Sequence, residues 1–179
     1  CFAAEGARVA VVDIDAEGAA AMAATLPGDA MALTLDVADT QACQQTVSQV
    51  IETFGHLDIL VNNAGYLVFT TAQDCDVETW DQLIAVNLRG PFFLAQAVLP
   101  HMQQRGQGAI INMSSLAAKS GGIAAGPPYA AAKAGVSTLT VHLAKVMAPH
   151  GVRVNAIAPG VIDTQMTSGL SPEHAALAA

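Results

Sequence analysis

The chain has 179 residues, of which 53% are hydrophobic and 12% are charged, with a net charge of −8. Such a composition predicts a single folded domain over residues 1–179. The acidic balance argues against a nucleic-acid surface, and no apolar run reaches the roughly 18 residues of a membrane span. Three cysteines without a CxxC pair and five histidines without an HExxH pattern predict a cytoplasmic protein with no metal site.

Strand-like and helical segments alternate along the sequence. β-branched runs are each followed by a stretch with helical spacing. This alternation predicts parallel strands with helical crossovers, a Rossmann-like doubly wound α/β sheet in three αβα layers. In chain order, the predicted strands are 8–15, 30–37, 57–65, 108–115 and 152–160. The predicted helices are 16–26, 39–55, 77–106 and 129–151, and Asp39 is the predicted cap of the second.

Both ends of the sequence resemble interrupted helices. Residues 2–6 finish at Gly6, a residue typical of a helix end. Ser171 followed by Pro172 is typical of a helix start. We therefore expect the chain to be truncated at both ends.

Polar residues follow each predicted strand, at the edge where α/β sheets bind ligands. Asp13 suits the ribose hydroxyls of NAD and repels the extra phosphate of NADP. Its alternative role is to cap the next helix, although Asp15 is better placed to do so. The other strand-end residues are Asp36, Asn62, Asn63, Ala64, Gly65, Ser114, Ser115, Pro159 and Gly160.

Tyr129 precedes Lys133 by one helical turn, with three alanines between them. This spacing places both side chains on one helix face, where the ammonium is expected to lower the pKa of the phenol. Such a phenol can exchange a proton with a substrate oxygen. Ser115, 14 residues earlier, can hold the same oxygen. The alternative is a surface pair without a function.

Asn87 lies inside the predicted helix 77–106, where asparagine is unfavourable. The Gly90-Pro91 pair shortly after it is expected to bend the helix. We interpret Asn87 as marking a local distortion with a polar role; the alternative is an exposed polar position.

Five segments resemble successive blocks of the short-chain dehydrogenase/reductase family. They are LDILVNNAG, VNLRGPFFLAQAVLPHM, IINMSS, YAAAKAGV and VRVNAIAPGVIDTQM. The resemblance covers nearly the whole chain in the family's order. It implies hydride transfer between NAD and a secondary alcohol or ketone, by a homodimer or homotetramer assembled through the two long helices.

The resemblance also implies roles for single residues. Tyr129 would be the acid/base, and Lys133 would lower its pKa and bind the nicotinamide ribose. Ser115, preferred to Ser114, would hold the substrate oxygen, and Asn87 would hold a water in a proton relay. The cofactor-binding residues would be Asp13, Asp36, Val37, Asn62, Ala64, Gly65, Tyr129, Lys133, Pro159, Gly160, Ile162 and Thr164.

The sequence departs from the family pattern in two ways. The interval from Ser115 to Tyr129 is one residue longer than expected. The family's first strand, its glycine-rich TGxxxGxG turn and its last strand are also missing. That first strand would lie between the strands that end at Asp13 and Asn62, so we expect two free strand edges there.

Two other functions therefore remain open. One is a catalytically inactive fragment that acts at most as an association module through its long helices. The other is an NADPH-dependent 3-ketoacyl-acyl-carrier-protein reductase, against which Asp13 argues.

Overall fold

Parallel strands alternate with helices in the computed structural model, which describes residues 1–123 and 125–167. The strands are β1 (Val9–Asp13), β2 (Ala30–Thr34), β3 (Ile59–Asn62), β4 (Gly108–Met113) and β5 (Val152–Ile157). The helices are α1 (Ala16–Thr25), α2 (Thr40–Phe54), α3 (Val77–Ile84), α4 (Gly90–Arg105), α5 (Ala117–Ser120) and α6 (Pro127–Met147). Irregular helical turns are Phe2–Glu5, Ala85–Arg89, Ala148–His150 and Gln165–Thr167. The predicted helix start at Ser171 lies outside the described residues.

Side-chain caps set the starts of two crossover helices as predicted. Asp15 accepts a hydrogen bond from the N–H of Glu17 (3.1 Å) at the start of α1. Asp39 accepts from the N–H groups of Gln41 (2.9 Å) and Ala42 (3.0 Å) at the start of α2. These bonds satisfy N–H groups that have no partner within the helix itself. The cap role of Asp15 leaves Asp13 outside the helix.

Three predicted elements differ from the structure. The predicted helix 77–106 is divided into α3, a π-helical turn and α4. The segment ending at Gly6 is a 3₁₀ turn rather than an α-helix. Helix α5 lies in a segment that we expected to be a loop, and it is only one turn long, too short to show a helical period.

The strands form two parallel sheets instead of one continuous sheet. One contains β1 and β2, and the other has the order β3-β4-β5. Within the part of the chain that the structure describes, β1 and β3 each keep one edge without a partner strand, as expected. A cleft of about 730 Å³ lies between these edges and is lined mainly by apolar side chains such as Val11, Leu35 and Leu60.

The main core lies where α4 and α6 cover the β3-β4-β5 sheet. Val98, Met102 and Ile110 are all fully buried there, and burial of each such side chain stabilises the fold by about 1.5–3 kcal/mol. Gly108 allows this contact, because a Cβ at that position would lie 2.5 Å from the Met102 sulfur. The packing fixes α6, which carries Tyr129 and Lys133, against the end of β4.

The helical stretch Val77–Arg105 is long and apolar enough, by length and composition alone, to cross a membrane. Its apolar side chains include Leu83, Val98 and Met102, which are fully buried in the fold. Core packing therefore accounts for part of its apolar composition, since 33% of its most apolar 18-residue window is buried.

Candidate active site

The π-helical turn between α3 and α4 places Asn87 in the interior, where it is 0% exposed. Its Nδ2 donates to the carbonyls of Tyr66 (2.7 Å) and Leu83 (3.1 Å), and its Oδ1 accepts from the N–H of Tyr66 (3.2 Å). Pro91 has no N–H to bond the Asn87 carbonyl four residues earlier, which favours an irregular turn. The alternative of an exposed polar position is wrong, because the amide fixes the loop that follows β3.

Lys133 is buried beside this turn, with 4% of its surface exposed. Its Nζ donates to the Met113 carbonyl (2.8 Å) and lies 5.6 Å from the centre of the Tyr129 ring. Burial lowers the pKa of Lys133 from 10.5 to about 8. A Cβ built on Gly65 would lie 3.3 Å from Asn87 Oδ1 and 3.8 Å from Lys133 Nζ. Three distant parts of the sequence therefore meet here.

Tyr129 lies in the first turn of α6 and is partly buried. Burial raises the pKa of the Tyr129 phenol above 10.0, and an interaction with the Ser115 hydroxyl partly opposes that rise. The expectation that Lys133 would make the pKa of Tyr129 lower than usual is therefore not met. The physical reason is that burial removes the phenolate from water, and this cost sets the direction of the Tyr129 pKa.

The two adjacent serines after β4 occupy different environments. Ser114 is 4% exposed, and its Oγ bonds the Lys133 carbonyl (3.1 Å) and contacts Ser137 Oγ (2.7 Å). Ser115 is partly exposed and accepts from the N–H of Ala117 (3.1 Å). That contact leaves the hydroxyl proton of Ser115 available to a ligand. The arrangement favours Ser115 as the serine that faces a substrate.

Asn62 uses its side chain inside the fold. It is 4% exposed, and its Nδ2 donates to Asn112 Oδ1 (2.8 Å) and to the Pro91 carbonyl (3.1 Å). Asn112 Nδ2 in turn donates to Thr140 Oγ1 (2.8 Å). These bonds tie β3 to β4, α4 and α6. The Nδ2 group of Asn62 is therefore used within the fold, whereas its buried Oδ1 has no hydrogen-bond partner among the residues that the structure describes. The cofactor contact of Asn62 stays a prediction.

Two carboxylates lie at the carboxyl ends of β1 and β2, whereas Tyr129 and Lys133 lie beside the other sheet. Asp13 ends β1, and one of its oxygens accepts from the N–H of Asp15 (3.0 Å). Asp36 follows β2, and one of its oxygens accepts from the N–H of Ala38 (2.9 Å). Both residues are exposed, and each keeps a second oxygen for a ligand.

Val37 is buried against the start of α4. A Cβ on Gly90 would lie 2.7 Å from the Val37 carbonyl oxygen, so only glycine permits this contact. The close approach joins the loop after β2 to the turn that carries Asn87. The predicted cofactor-binding residue Val37 and the Asn87 region are thus packed against each other.

The segment after β5 carries the remaining predicted cofactor residues. The Pro159 carbonyl accepts from the N–H of Leu116 (2.8 Å), which holds this segment beside Ser115. Gly160 is open, with no atom within 4 Å of a Cβ built there. Ile162 and Thr164 are exposed. Thr167 Oγ1 donates to the Ile162 carbonyl (2.8 Å), which closes a local turn.

The geometry fits a dinucleotide along the carboxyl edge of the strands. The exposed carboxylate of Asp13 suits ribose hydroxyls at one end, and Lys133 supplies a cationic donor at the other. Gly65 has no side chain, and this leaves room beside Lys133 and Asn87. The site therefore has the features of an oxidoreductase that uses a nicotinamide cofactor.

Comparison with known proteins defines the family. The short chain dehydrogenase family model matches residues 1–175, and the chain belongs to this family of oxidoreductases. It is 42% identical to D-threitol dehydrogenase of Mycolicibacterium smegmatis over 92% of this chain and 64% of that protein. It is 41% identical to the 3-oxoacyl-acyl-carrier-protein reductase FabG of Thermotoga maritima over 97% of this chain and 71% of that protein.

A solved structure supports the fold. A protein from Sinorhizobium meliloti 1021, assigned as a short-chain alcohol dehydrogenase, superposes with a TM-score of 0.88. It shares 42% identity over 93% of this chain and 67% of its own chain. The predicted Rossmann-like fold class is thus confirmed. The chain spans about two thirds of the length of the relatives it matches.

Sequence reasoning missed several polar groups that lie behind the site. These are Asn112, Thr140 and Ser137, together with the Met113 carbonyl. Asn112 had a usable signal, because an amide within the apolar run IINM needs a buried partner. Ser137 had none, since it resembles any other serine in a helix.

Proposed function

We propose that the whole protein that carries residues 1–179 transfers a hydride between NAD(H) and a secondary alcohol or ketone. NAD, held by residues such as Asp13 and Lys133, would supply the acceptor for the hydride of the alcohol carbon. Tyr129 takes or returns the proton of the substrate oxygen, and Ser115 donates a hydrogen bond to that oxygen. Lys133 and Asn87 support proton movement behind Tyr129.

The observation that carries the proposal is the convergence of Asn87, Ser115, Tyr129 and Lys133. They come from the π-turn, the end of β4 and two turns of α6. One of the four, Lys133, is a cationic side chain that is 4% exposed, and a purely structural role would not require the cost of burying it. Buried ionisable residues next to a partly open tyrosine are typical of proton-transfer sites.

The proposal is tested by assaying the whole protein with NAD and NADP against a panel of secondary alcohols and polyols. NADH formation with at least one such alcohol is the expected result. Failure to oxidise any alcohol, and to reduce the matching ketones with NADH, would contradict the proposed reaction.

Asp13 is proposed to set the preference for NAD over NADP. Replacing Asp13 with Ala is expected to raise kcat/KM with NADP relative to NAD by about 10-fold or more, because a carboxylate at this point repels a 2′-phosphate. The measurement is the ratio of kcat/KM values for the two cofactors. Asp15→Ala is the matched control: it removes a neighbouring carboxylate that caps α1. An unchanged ratio in Asp13→Ala would remove Asp13 from the cofactor site.

The same residue separates NAD-dependent dehydrogenation from the NADPH-dependent 3-ketoacyl-acyl-carrier-protein reductase alternative. NADPH requires cationic groups near its 2′-phosphate, whereas the side chain proposed to face that group here is the exposed carboxylate of Asp13. We therefore propose NAD as the cofactor.

A second candidate, a catalytically inactive association module, applies to residues 1–179 by themselves. The cleft between β1 and β3 separates Asp13 from the half of the fold that carries Tyr129. Residues 1–179 also contain no glycine-rich turn of the kind that binds a pyrophosphate.

Residues 1–179, produced alone, are expected to show no NAD-dependent turnover. The measurement is NADH absorbance, with NAD binding followed through the fluorescence of Trp80, the single tryptophan. Detectable alcohol oxidation by this chain would contradict the prediction. Specific NAD binding without turnover would show that the remaining site residues keep their arrangement.

Assembly and location complete the proposal. We propose a single-domain cytoplasmic enzyme that associates as a homodimer or homotetramer through α4 and α6. Val141 and Val146 on α6 are more than half exposed, which supports a contact on this face. Neither nucleic acid nor a membrane is proposed as a partner.

A further inference from the structure

Three consecutive residues at the end of β4 contact the Tyr129–Lys133 pair at three different points. The Met113 carbonyl accepts from Lys133 Nζ (2.8 Å). The Ser114 hydroxyl bonds the main-chain carbonyl of Lys133 (3.1 Å). The Ser115 hydroxyl interacts with the Tyr129 phenol. The proposed function uses only the last of these contacts and leaves Ser114 without a role.

Ser114 is itself held firmly by the sheet. Its N–H donates to the Ile157 carbonyl (2.8 Å), which continues the β4–β5 ladder by one residue. Only 4% of its surface is exposed, so it has no access to a substrate. Its hydroxyl therefore forms hydrogen bonds with groups inside the protein.

The hydroxyls of Ser114 and Ser137 form a closed group with the Lys133 carbonyl. The two hydroxyls are 2.7 Å apart, and each lies 3.1 Å from that carbonyl oxygen. Each hydroxyl has one proton. If one serine donates to the other, the second serine's proton remains for the Lys133 carbonyl.

The two serines differ in what they connect. Ser137 lies on α6, the same helix as Lys133, so its bond to the carbonyl is internal to the helix. Ser114 lies at the end of β4, so its bond joins the sheet to the helix. Loss of Ser137 leaves the Ser114 proton free for the Lys133 carbonyl, whereas loss of Ser114 removes the link.

We propose that Ser114 is a positioning residue for the Tyr129–Lys133 pair, because its hydroxyl ties the main chain of Lys133 to the end of β4. This inference rests on the proposed function for its catalytic consequence. The lysine side chain has a flexible four-carbon stem, which by itself does not fix the position of the ammonium group. Bonds at its main-chain carbonyl and at Nζ, both to the end of β4, hold Lys133 at two points beside Tyr129.

The first test does not depend on turnover. Lysine labelled with ¹³C at Cε reports the titration of Lys133 by NMR in the whole protein, its signal assigned with Lys133→Met. In Ser114→Ala the pKa of Lys133 is expected to rise from about 8 toward 10.5, because a released ammonium regains hydration. Ser137→Ala is the matched control and is expected to leave that pKa unchanged. If the pKa of Lys133 changes by the same amount in both variants, or in neither, the proposal is overturned.

The second test measures the catalytic consequence. Ser114→Ala is expected to lower kcat by about 10- to 100-fold and to shift the pH dependence of kcat, with little change in the KM of the alcohol. Ser137→Ala is expected to stay close to the wild type. If the two variants keep the same kcat and pH profile, Ser114 does not position the pair.

The two tests also separate this inference from the proposed function. If the wild-type protein oxidises no alcohol, the proposed function fails. The NMR titration then still decides whether Ser114 holds Lys133. A rise in the pKa of Lys133 in Ser114→Ala alone would support the positioning role in either case.

Discussion

Replacing Tyr129 with Phe is expected to lower the kcat of the whole protein by about 10²- to 10⁴-fold, the usual contribution of a general acid/base. The substitution removes one oxygen atom from a partly buried ring and leaves the ring contacts in place. The affinity for NAD is expected to change by less than about twofold, because the phenol acts on the substrate oxygen. The measurements are steady-state kinetics and NAD titration of the same preparation.

The pH dependence supplies a further check on this variant. Burial raises the pKa of Tyr129, so alcohol oxidation by the wild type is expected to increase toward alkaline pH as the phenol ionises. Any residual activity of Tyr129→Phe should lack that increase. A variant that keeps wild-type turnover would show that another group moves the proton.

Replacing Lys133 with Met is expected to abolish most turnover while making the protein more stable at neutral pH. The pKa of Lys133 is about 8 in the fold and 10.5 in the absence of burial, so the buried ammonium opposes folding. A methionine of similar length avoids this cost, and the free energy of unfolding is expected to rise by about 1–3 kcal/mol below pH 8. The variant also loses the hydrogen bond from Lys133 Nζ to the Met113 carbonyl, which makes this rise in the free energy of unfolding smaller.

The sign of the pH effect follows from the two pKa values. Between about pH 8 and 10.5 the unfolded chain binds more protons at Lys133 than the folded chain does. Wild-type stability should therefore rise with pH in this range, and the advantage of Lys133→Met should disappear above it. Urea unfolding from pH 6 to pH 10.5 measures both effects.

A lysine elsewhere on the same helix provides the control. Lys145 is exposed near the end of α6, so Lys145→Met should leave stability and its pH dependence nearly unchanged. If Lys133→Met is less stable than the wild type at neutral pH, the bond to Met113 outweighs the burial cost. If it retains turnover, Lys133 has no role in the reaction.

The elements of the fold followed from local patterns. Alternating strands and helices, and the caps at Asp15 and Asp39, depend on residues that are close in sequence, and the structure contains them as expected. The spacing of Tyr129 and Lys133 is also local, because four residues make about one helical turn. These features needed no knowledge of packing.

The environments of the site residues were decided by tertiary structure. The family pattern alone favours Ser115 over Ser114. The structure adds the physical reason, because the Ser114 hydroxyl bonds the Lys133 carbonyl. The Nδ2 group of Asn62 donates to Asn112, which lies 50 residues further along the chain. The direction of the Tyr129 pKa depends on how far the phenol is buried, which no spacing rule contains.

The sequence by itself thus determined the order of elements, the carboxyl-edge site and the family resemblance. Only the tertiary structure decided that Asn87 is fully buried and that burial sets the direction of the Tyr129 pKa. The physical reason is that helical period and capping act over a few residues. Burial and pKa depend on side chains brought together from distant parts of the chain.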